Sequence, residues 1–210
     1  YDTLGYARNV VVSGGYAYVA DGSNGLVVVD VSDPTNPTMV GNYNTIDSVV
    51  DVAVSSDYAY VVNGNDRGLV VVDVSDPSDP TYAGDYDPSG YTHGVVVSGD
   101  YAYIAANDVG LVVMNVNDPS DPTYAGGYDT SNYAYGVAVS GGYAYVADGS
   151  GGLVVVDVSD PTDPTWAGGY DTSGSARGVA VAGGYAYVAD NDDGLVVVDV
   201  SDPTNPVRAG

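Results

Sequence analysis

The 210-residue sequence predicts an all-β protein that is made from five copies of one unit. Three observations support this fold class, and the first is composition. The apolar residues are mostly Val, Tyr and Ala, with 21 Tyr and no Phe, and Val and Tyr favour strands. The second is the placement of turn residues. The 29 Gly and 11 Pro cluster with Asp between the apolar runs, which is typical of turns.

The third observation is an internal repeat. Gly-Leu pairs recur in steps of 43, 42, 42 and 42 residues, and they begin at Gly25, Gly68, Gly110, Gly152 and Gly194. Tyr-Ala-Tyr recurs in steps of 42, 43, 42 and 42 residues from Tyr16 to Tyr185, so the long step falls one place later than for Gly-Leu. We therefore divide one domain, residues 1–210, into repeats 1–42, 43–85, 86–127, 128–169 and 170–210. The extra residue of the second repeat lies in the loop 63–67.

Each repeat contains four predicted strands, which are clearest in the fifth repeat. They are Ala176–Ala182, Tyr185–Asp190, Gly194–Ser201 and Pro206–Gly210. Gly-Gly and Asp/Gly clusters separate the first three strands, as in hairpins. Asp-Pro-Thr-Asn-Pro separates the last two strands. The third strand contains LVVV, whose apolar residues on both faces indicate burial on both sides.

Four short antiparallel strands per repeat are typical of a propeller blade. We therefore predict a closed five-bladed β-propeller in which each blade packs between two neighbours. In the middle repeats the fourth strand continues into Tyr-Asp, as in TYAGGYDT at Thr123–Thr130. The chain ends in VRAG and begins with YDT, so we expect the two termini to share the outer strand of the last blade. The alternatives are an open solenoid and a fragment of a larger ring.

The repeated segments resemble a known family. GLVVVDVSDP, which begins at Gly25 and again at Gly194, and YAYVAD are similar to the LVIVD-repeat β-propellers. The resemblance covers the whole chain. It implies the propeller fold and a bacterial or archaeal protein that is often secreted or displayed at the cell surface. It implies no particular activity.

The charge composition is strongly one-sided. The net charge is −24, with four Arg, no Lys and 28 acidic residues that are all Asp. Such a surface repels nucleic acid and anionic membranes, so we expect neither partner. We interpret the charge as halophilic adaptation; alternatively, Asp accumulates because every turn uses it. No apolar run approaches the ~18 residues of a membrane span, and the lack of Cys excludes disulfides.

One position varies in chemistry far more than the rest of the repeat. It opens the first strand, and its occupants are Arg8, Val50, His93, Tyr135 and Arg177. The first strand of a propeller blade lines the central channel, so we expect these residues at the channel mouth. The candidate ligand-binding residues are Arg8, Asp51, His93, Tyr135 and Arg177. Paired Arg suit a carboxylate, phosphate or sulfate. The alternative is that these residues lie at a solvated loop edge whose sequence varies without functional constraint.

Two sets of Asp need separate interpretations. The Asp that follows VVV recurs in four repeats and is Asn115 in the third, which favours a structural acceptor for a Tyr hydroxyl or turn amides. The loop DNDDG, Asp190–Gly194, resembles the start of a calcium loop, with Asp190 and Asp192 as candidate Ca²⁺ ligands. The downstream Glu of such loops is absent, and Asp and Gly also form ordinary hairpin turns.

These patterns predict a non-catalytic repeat scaffold. We expect a secreted or cell-surface binding module, monomeric, with a protein, glycan or small anionic ligand at the channel mouth. One alternative is a purely structural or engineered repeat protein without a ligand. Another is a glycosidase-like hydrolase that uses Asp51 and His93, although two carboxylates facing one cavity are needed for that chemistry.

Overall fold

The computed structural model describes residues 1–45, 48–64 and 68–210, which form five four-stranded sheets. Each sheet corresponds to one repeat, and its strands lie in sequence order. The strand pairs with a defined register are antiparallel. The all-β fold class and the four strands per repeat are therefore confirmed. The predicted site of the extra residue, in the loop 63–67, lies largely outside the described residues.

The strands have the following bounds. Sheet 1 contains β1 (Asn9–Ser13), β2 (Tyr16–Ala20), β3 (Leu26–Asp30) and β4 (Thr38–Tyr43). Sheet 2 contains β5 (Val49–Ser55), β6 (Tyr58–Asn63), β7 (Leu69–Asp73) and β8 (Thr81–Tyr86). Sheet 3 contains β9 (Gly94–Ser98), β10 (Tyr101–Ala106), β11 (Gly110–Asn115) and β12 (Thr123–Tyr128). Sheet 4 contains β13 (Gly136–Ser140), β14 (Tyr143–Ala147), β15 (Leu153–Asp157) and β16 (Thr165–Tyr170). Sheet 5 contains β17 (Ala176–Ala182), β18 (Tyr185–Asp190), β19 (Gly194–Asp199) and β20 (Val207–Arg208).

The fifth repeat tests the predicted strand bounds directly. The first two strands, β17 and β18, have the predicted limits. The third strand ends at Asp199 rather than Ser201, because the Asp199 carboxylate accepts the Ser201 N–H at 2.9 Å and starts a turn. The fourth strand is only two residues long, since the ladder is distorted where Val197 bonds to both Ala209 and Gly210.

Each sheet has two apolar faces of different composition. The leucine face carries the second Tyr of YAY and the Leu and middle Val of LVVV, which are Tyr18, Leu26 and Val28 in sheet 1. The valine face lies opposite and carries alternate residues of the first three strands. In sheet 1 these residues are Val10, Val12, Ala17, Val19, Val27 and Val29.

The core forms where the leucine face of one sheet packs on the valine face of the next. Tyr18, Leu26 and Val28 of sheet 1 pack in one cluster with Val52 and Val61 of sheet 2. Sheets 4 and 5 repeat this packing, with Tyr145, Leu153 and Val155 on one side and Val188, Val196 and Val198 on the other. Burial of a Leu or Val side chain stabilises the fold by about 1.5–3 kcal/mol, so this packing explains why LVVV is apolar on both faces.

The turn before the fourth strand packs on the preceding sheet. In sheet 1 a Cβ on Gly41 would lie 2.9 Å from the Pro80 ring of the second repeat and would also strike the Pro77 carbonyl oxygen. The same contact recurs at Gly84, Gly126 and Gly168. This close approach requires glycine in the fourth strand and explains the repeated Asp-Pro-x-x-Pro turn.

The chain divides into two compact units, residues 1–97 with 116–123, and residues 98–115 with 124–210. The packing of sheet 1 on sheet 2 lies in the first unit, and that of sheet 4 on sheet 5 lies in the second. Ring closure, the single-domain assignment and the shared outer strand of the two termini stay predictions. No helix in the described ranges has the length and apolarity needed to cross a membrane.

Candidate functional site

Hydrogen bonds from the preceding repeat hold the start of the first strand. The Ala176 N–H donates to the Gly149 carbonyl at 2.9 Å, and the Gly149 N–H donates back at 3.1 Å. Equivalent bridges join Gly22 to Val49 and Asn107 to Ala134. Each bridge ends one residue before the variable position. The loop between the second and third strands therefore lies beside the variable position of the next repeat.

In the second unit the structure brings two candidate residues into contact. The Arg177 guanidinium carbon lies 4.0 Å from the centroid of the Tyr135 ring, which is a cation–π geometry. Tyr133 packs edge-to-face on Tyr135, with ring centroids 6.4 Å apart. Arg177 is exposed, and within the described ranges it forms no ion pair. Its guanidinium is thus oriented by an aromatic ring while its donors remain open to solvent.

In the first unit the Asp51 carboxylate accepts hydrogen bonds from two backbone N–H groups. One carboxylate oxygen accepts the Val52 N–H at 2.8 Å, and the other accepts the Val95 N–H of the next repeat at 2.9 Å. Burial raises the pKa of Asp51 to about 6, although both hydrogen bonds favour the charged form. Asp51 thus joins the first strands of sheets 2 and 3.

The two remaining candidates also lie at first-strand starts in the first unit. His93 is half-buried and lies two residues before Val95. Arg8 is exposed, and its backbone N–H donates to the Ala20 carbonyl at 2.8 Å. This bond extends the pairing of β1 with β2 and sets the direction in which the chain enters the strand.

The raised pKa of the Asp51 carboxylate predicts how the stability of the fold changes with pH. The folded pKa of about 6 exceeds the usual 3.8, so its contribution to stability is present below pH 3.8 and is lost as the pH rises through 6. The Asp51→Gly variant places at this position the residue found at Gly94 and Gly178. We expect its unfolding free energy minus that of the wild type to increase by about 2–3 kcal/mol when the pH is raised from 4 to 7.5. Urea unfolding at both pH values measures this.

Asp100→Gly is the matched control for this change, because Asp100 is exposed in a turn where the first, fourth and fifth repeats have Gly. A constant difference between wild type and Asp51→Gly across the pH range would contradict the raised pKa of Asp51.

The candidate metal ligand Asp190 is buried in a network of hydrogen bonds. Its carboxylate accepts the Thr172 hydroxyl at 2.5 Å and the N–H groups of Ser175, Asp192 and Asp193 at 3.0–3.2 Å. Burial raises its pKa, but the four hydrogen bonds outweigh burial and lower the pKa overall. The second candidate ligand, Asp192, is exposed. No group of three His, Cys, Asp or Glu suited to a metal occurs among the described residues.

The contact of Thr172 with Asp190 belongs to a recurring pair that sequence reasoning missed. Thr3 donates to Asp21 at 2.7 Å, and Thr130 donates to Asp148 at 2.5 Å. All three Asp are buried, and burial raises the pKa of Asp148. The constant spacing of 18 residues was a usable signal. Each pair ties the segment before the first strand to the loop between the second and third strands of the same repeat, and it has a structural role.

The Asp of the long turns are also structural acceptors. Asp199 accepts the Ser201 N–H, and Asp202 accepts both the N–H and the hydroxyl of Thr204. The equivalent first-position acceptors are Asp30, Asp73 and Asp157. The Ser and Thr hydrogen bonds lower the pKa of these Asp. The predicted bonding of the repeated Asp to turn amides is confirmed.

Solved structures similar to this chain share little sequence with it, and they include a β-propeller domain. A functionally unknown protein from Desulfotomaculum acetoxidans DSM 771 has a TM-score of 0.79 and 14% identity, with 100% of this chain and 71% of that chain covered. The Cps50 (Swd1) β-propeller domain of Myceliophteria thermophila has a TM-score of 0.75 and 11% identity, with coverages of 98% and 72%. The computationally designed Ika8 protein has a TM-score of 0.73 and 8% identity. The chain spans only 59% of the length of Ika8, with 93% of itself covered.

The family assignment comes from the repeat itself. No curated protein matches the sequence. The LVIVD repeat matches five consecutive segments, residues 4–45, 48–88, 89–130, 131–172 and 173–210. These segments begin a few residues later than the repeats counted from Tyr1, but their number and length agree. The chain therefore belongs to the LVIVD-repeat family of β-propeller proteins.

Proposed function

We propose that the chain is a non-catalytic binding module that takes an anionic ligand at the starts of its first strands. The observation that carries this proposal is the stacking of Arg177 on Tyr135 at 4.0 Å. The ring fixes the plane of an exposed guanidinium that has no carboxylate partner among the described residues. A fixed planar guanidinium suits a carboxylate, phosphate or sulfate, which it can bind through two parallel hydrogen bonds.

The charge of the rest of the chain makes this position unusual. The chain has a net charge of −24 and only four Arg, and two of them, Arg8 and Arg177, occupy the variable position. A strongly acidic surface repels anions over a distance set by the ionic strength. We therefore expect anion binding to be local to these Arg and stronger where salt screens the surrounding Asp.

The setting in which the module acts is part of the proposal. We propose a secreted or cell-surface protein from a salt-rich habitat, and the habitat is supported by the acidic composition and by the absence of Lys. The partner is a glycan, protein or small molecule that presents an anionic group. A hydrolase that uses Asp51 and His93 is the second candidate, because the raised pKa of Asp51 places its titration near neutrality. The two backbone hydrogen bonds to Asp51 favour a structural role instead.

The double variant Arg8→Ala/Arg177→Ala tests the binding function. We expect it to bind citrate, sulfate and inorganic phosphate about tenfold or more weakly than the wild type, because each lost hydrogen bond to a charged group is worth about 1.5–3 kcal/mol. Isothermal titration calorimetry at about 0.15 M and about 1 M NaCl measures the affinity.

Arg208→Ala is the matched control, since Arg208 is an exposed Arg on the outer strand β20. It changes the net charge without touching the variable position and is expected to leave the affinity unchanged. Equal affinity of the double variant and the wild type would refute the binding function and favour a purely structural repeat protein.

A further inference from the structure

An exposed tyrosine comes two residues before the variable position in three of the repeats. Tyr6, Tyr91 and Tyr133 are 81%, 53% and 54% exposed, and the other two repeats have Ser there. A Tyr side chain offers a large, rigid contact surface with one polar end, which is why Tyr is enriched where proteins bind partners. The residues proposed to bind an anion therefore have an aromatic neighbour that is available to a ligand.

In the fourth repeat this tyrosine belongs to a fixed group of side chains. The Tyr133 ring packs on the Tyr135 ring with the centroids 6.4 Å apart, and the Arg177 guanidinium carbon lies 4.0 Å from the Tyr135 centroid. A Cβ on Gly149 would lie 3.3 Å from the Tyr135 ring, so the backbone of this loop also packs on the ring. Tyr135 thus positions both Tyr133 and Arg177, and one small ligand can contact both.

Hydrogen bonds hold the segment that carries Tyr133. The Ser150 hydroxyl donates to Asn132 Oδ1 at 2.9 Å, and Asn132 Nδ2 donates to the buried Asp148 carboxylate at 3.3 Å. The first, third and fifth repeats have Gly in place of Asn132, so they lack these side-chain bonds. A binding surface that is ordered beforehand loses less conformational entropy when a ligand binds.

We infer that Tyr133 and Arg177 form a binding site for a sugar that carries a carboxylate, such as a uronic acid. This inference rests on the proposed anion-binding function and names the class of its ligand. Arg177 binds the carboxylate through two parallel hydrogen bonds. The face of the Tyr133 ring packs against the C–H groups on one face of the sugar.

The exposure of the two side chains favours a sugar over an aromatic acid. Tyr133 and Arg177 are both exposed, so a ligand that lies on them keeps one side in water. A sugar suits this position, because it places C–H groups on the ring while its hydroxyls stay hydrated. An aromatic acid has two apolar faces, and one of them would remain unfavourably in contact with water.

The net charge of the chain explains why the aromatic contact is needed. At a net charge of −24, long-range repulsion opposes the approach of any anion. Arg177 alone is therefore expected to bind a bare anion weakly. Contact between the uncharged part of a sugar and the Tyr133 ring adds affinity that this repulsion does not reduce. Each further carboxylate adds repulsion, so the expected ligand is a single acidic sugar.

Three small probes separate the two halves of the site. Methyl glucuronide has the sugar ring and the carboxylate, acetate has only the carboxylate, and methyl glucoside has only the ring. NMR titration at about 1 M NaCl, where the screening length is about 3 Å, measures the three affinities. We expect the wild type to bind methyl glucuronide about fivefold or more tightly than either of the other probes.

Variants of Tyr133 test which side chain gives this preference. Tyr133→Ala is expected to abolish the preference for methyl glucuronide over acetate and to leave the affinity for acetate unchanged, whereas Tyr133→Phe keeps the ring and the preference. Tyr124→Ala is the matched control, because Tyr124 is 56% exposed but lies on β12, the fourth strand of its sheet. It is expected to bind like the wild type, with circular dichroism checking that all variants fold.

The outcomes separate this inference from the proposed function. A wild type that binds inorganic phosphate, but binds methyl glucuronide no more tightly than acetate, would overturn the acidic sugar and leave the anion-binding function in place. Binding of none of these anions would overturn both. Equal losses of acetate and methyl glucuronide affinity in Tyr133→Ala would show that Tyr133 only positions Arg177, which also overturns the inference. Tighter binding of N-acetyl-glycylglycine than of methyl glucuronide would identify a peptide carboxylate as the ligand instead.

Discussion

The Asp190→Ala variant is expected to lose about 3–5 kcal/mol of unfolding free energy. The Asp190 side chain is buried and accepts four hydrogen bonds, from the Thr172 hydroxyl and from three backbone N–H groups. Alanine leaves these donors without their acceptor, and each buried unsatisfied donor costs about 1–3 kcal/mol. Water that enters the vacated space satisfies some of them, which keeps the total below the simple sum.

Urea unfolding in buffer with a chelator measures this loss, and Asp192→Ala is its matched control. Asp192 is the other candidate calcium ligand, but its side chain is exposed, so its replacement is expected to change stability by less than about 0.5 kcal/mol. If Asp190 is a turn acceptor, both results stay the same when millimolar Ca²⁺ replaces the chelator. A wild type that gains stability from Ca²⁺, with both variants losing that gain, would contradict this account and establish a metal site.

The Gly152→Ala variant is expected to lose about 4 kcal/mol or more. Gly152 has a φ of +74°, and a Cβ there would lie 2.6 Å from the Thr172 backbone nitrogen and would also collide with the Tyr170 carbonyl oxygen. These obstacles are backbone atoms of the fourth strand and of the residues after it, so they cannot rotate away. The left-handed conformation adds about 1–2 kcal/mol for any residue with a Cβ.

Gly194→Ala is the matched control within the same chain. Gly194 holds the equivalent position in the fifth repeat and has a φ of +72°, but a Cβ there meets no atom within 4 Å. It is expected to cost only the conformational term of about 1–2 kcal/mol. Chemical denaturation of both variants separates steric collision from backbone strain. Equal losses at the two positions would show that the close approach of the fourth strand contributes nothing.

The strands were predictable because the information is local. Period, hairpin turns and apolar runs define β17 and β18 to the residue. The end of β19 at Asp199 depends on a side-chain acceptor, and the short β20 depends on a distorted ladder, so both needed the folded structure.

The environment of each sheet was not predictable from its own residues. Leu26 and Leu195 lie in identical thirteen-residue segments, yet one is fully buried and the other is 63% exposed. The difference comes from the neighbour that packs on the sheet, and the segment itself carries no information about that neighbour. The candidate site follows the same rule. Sequence comparison between repeats located the variable position, but the stacking of Arg177 on Tyr135 joins residues of two repeats and required their packing.

The packing of a turn on the glycine of the preceding sheet also affects how easily the gene can gain or lose repeats. Every repeat carries the Asp-Pro-x-x-Pro turn that fits the repeat before it and the glycine that receives the turn of the repeat after it. A duplicated DNA segment one repeat long therefore encodes both partners of the new contact, whichever residue it starts from. Copies can be added or lost by recombination in whole steps, without a period of selection for a new interface.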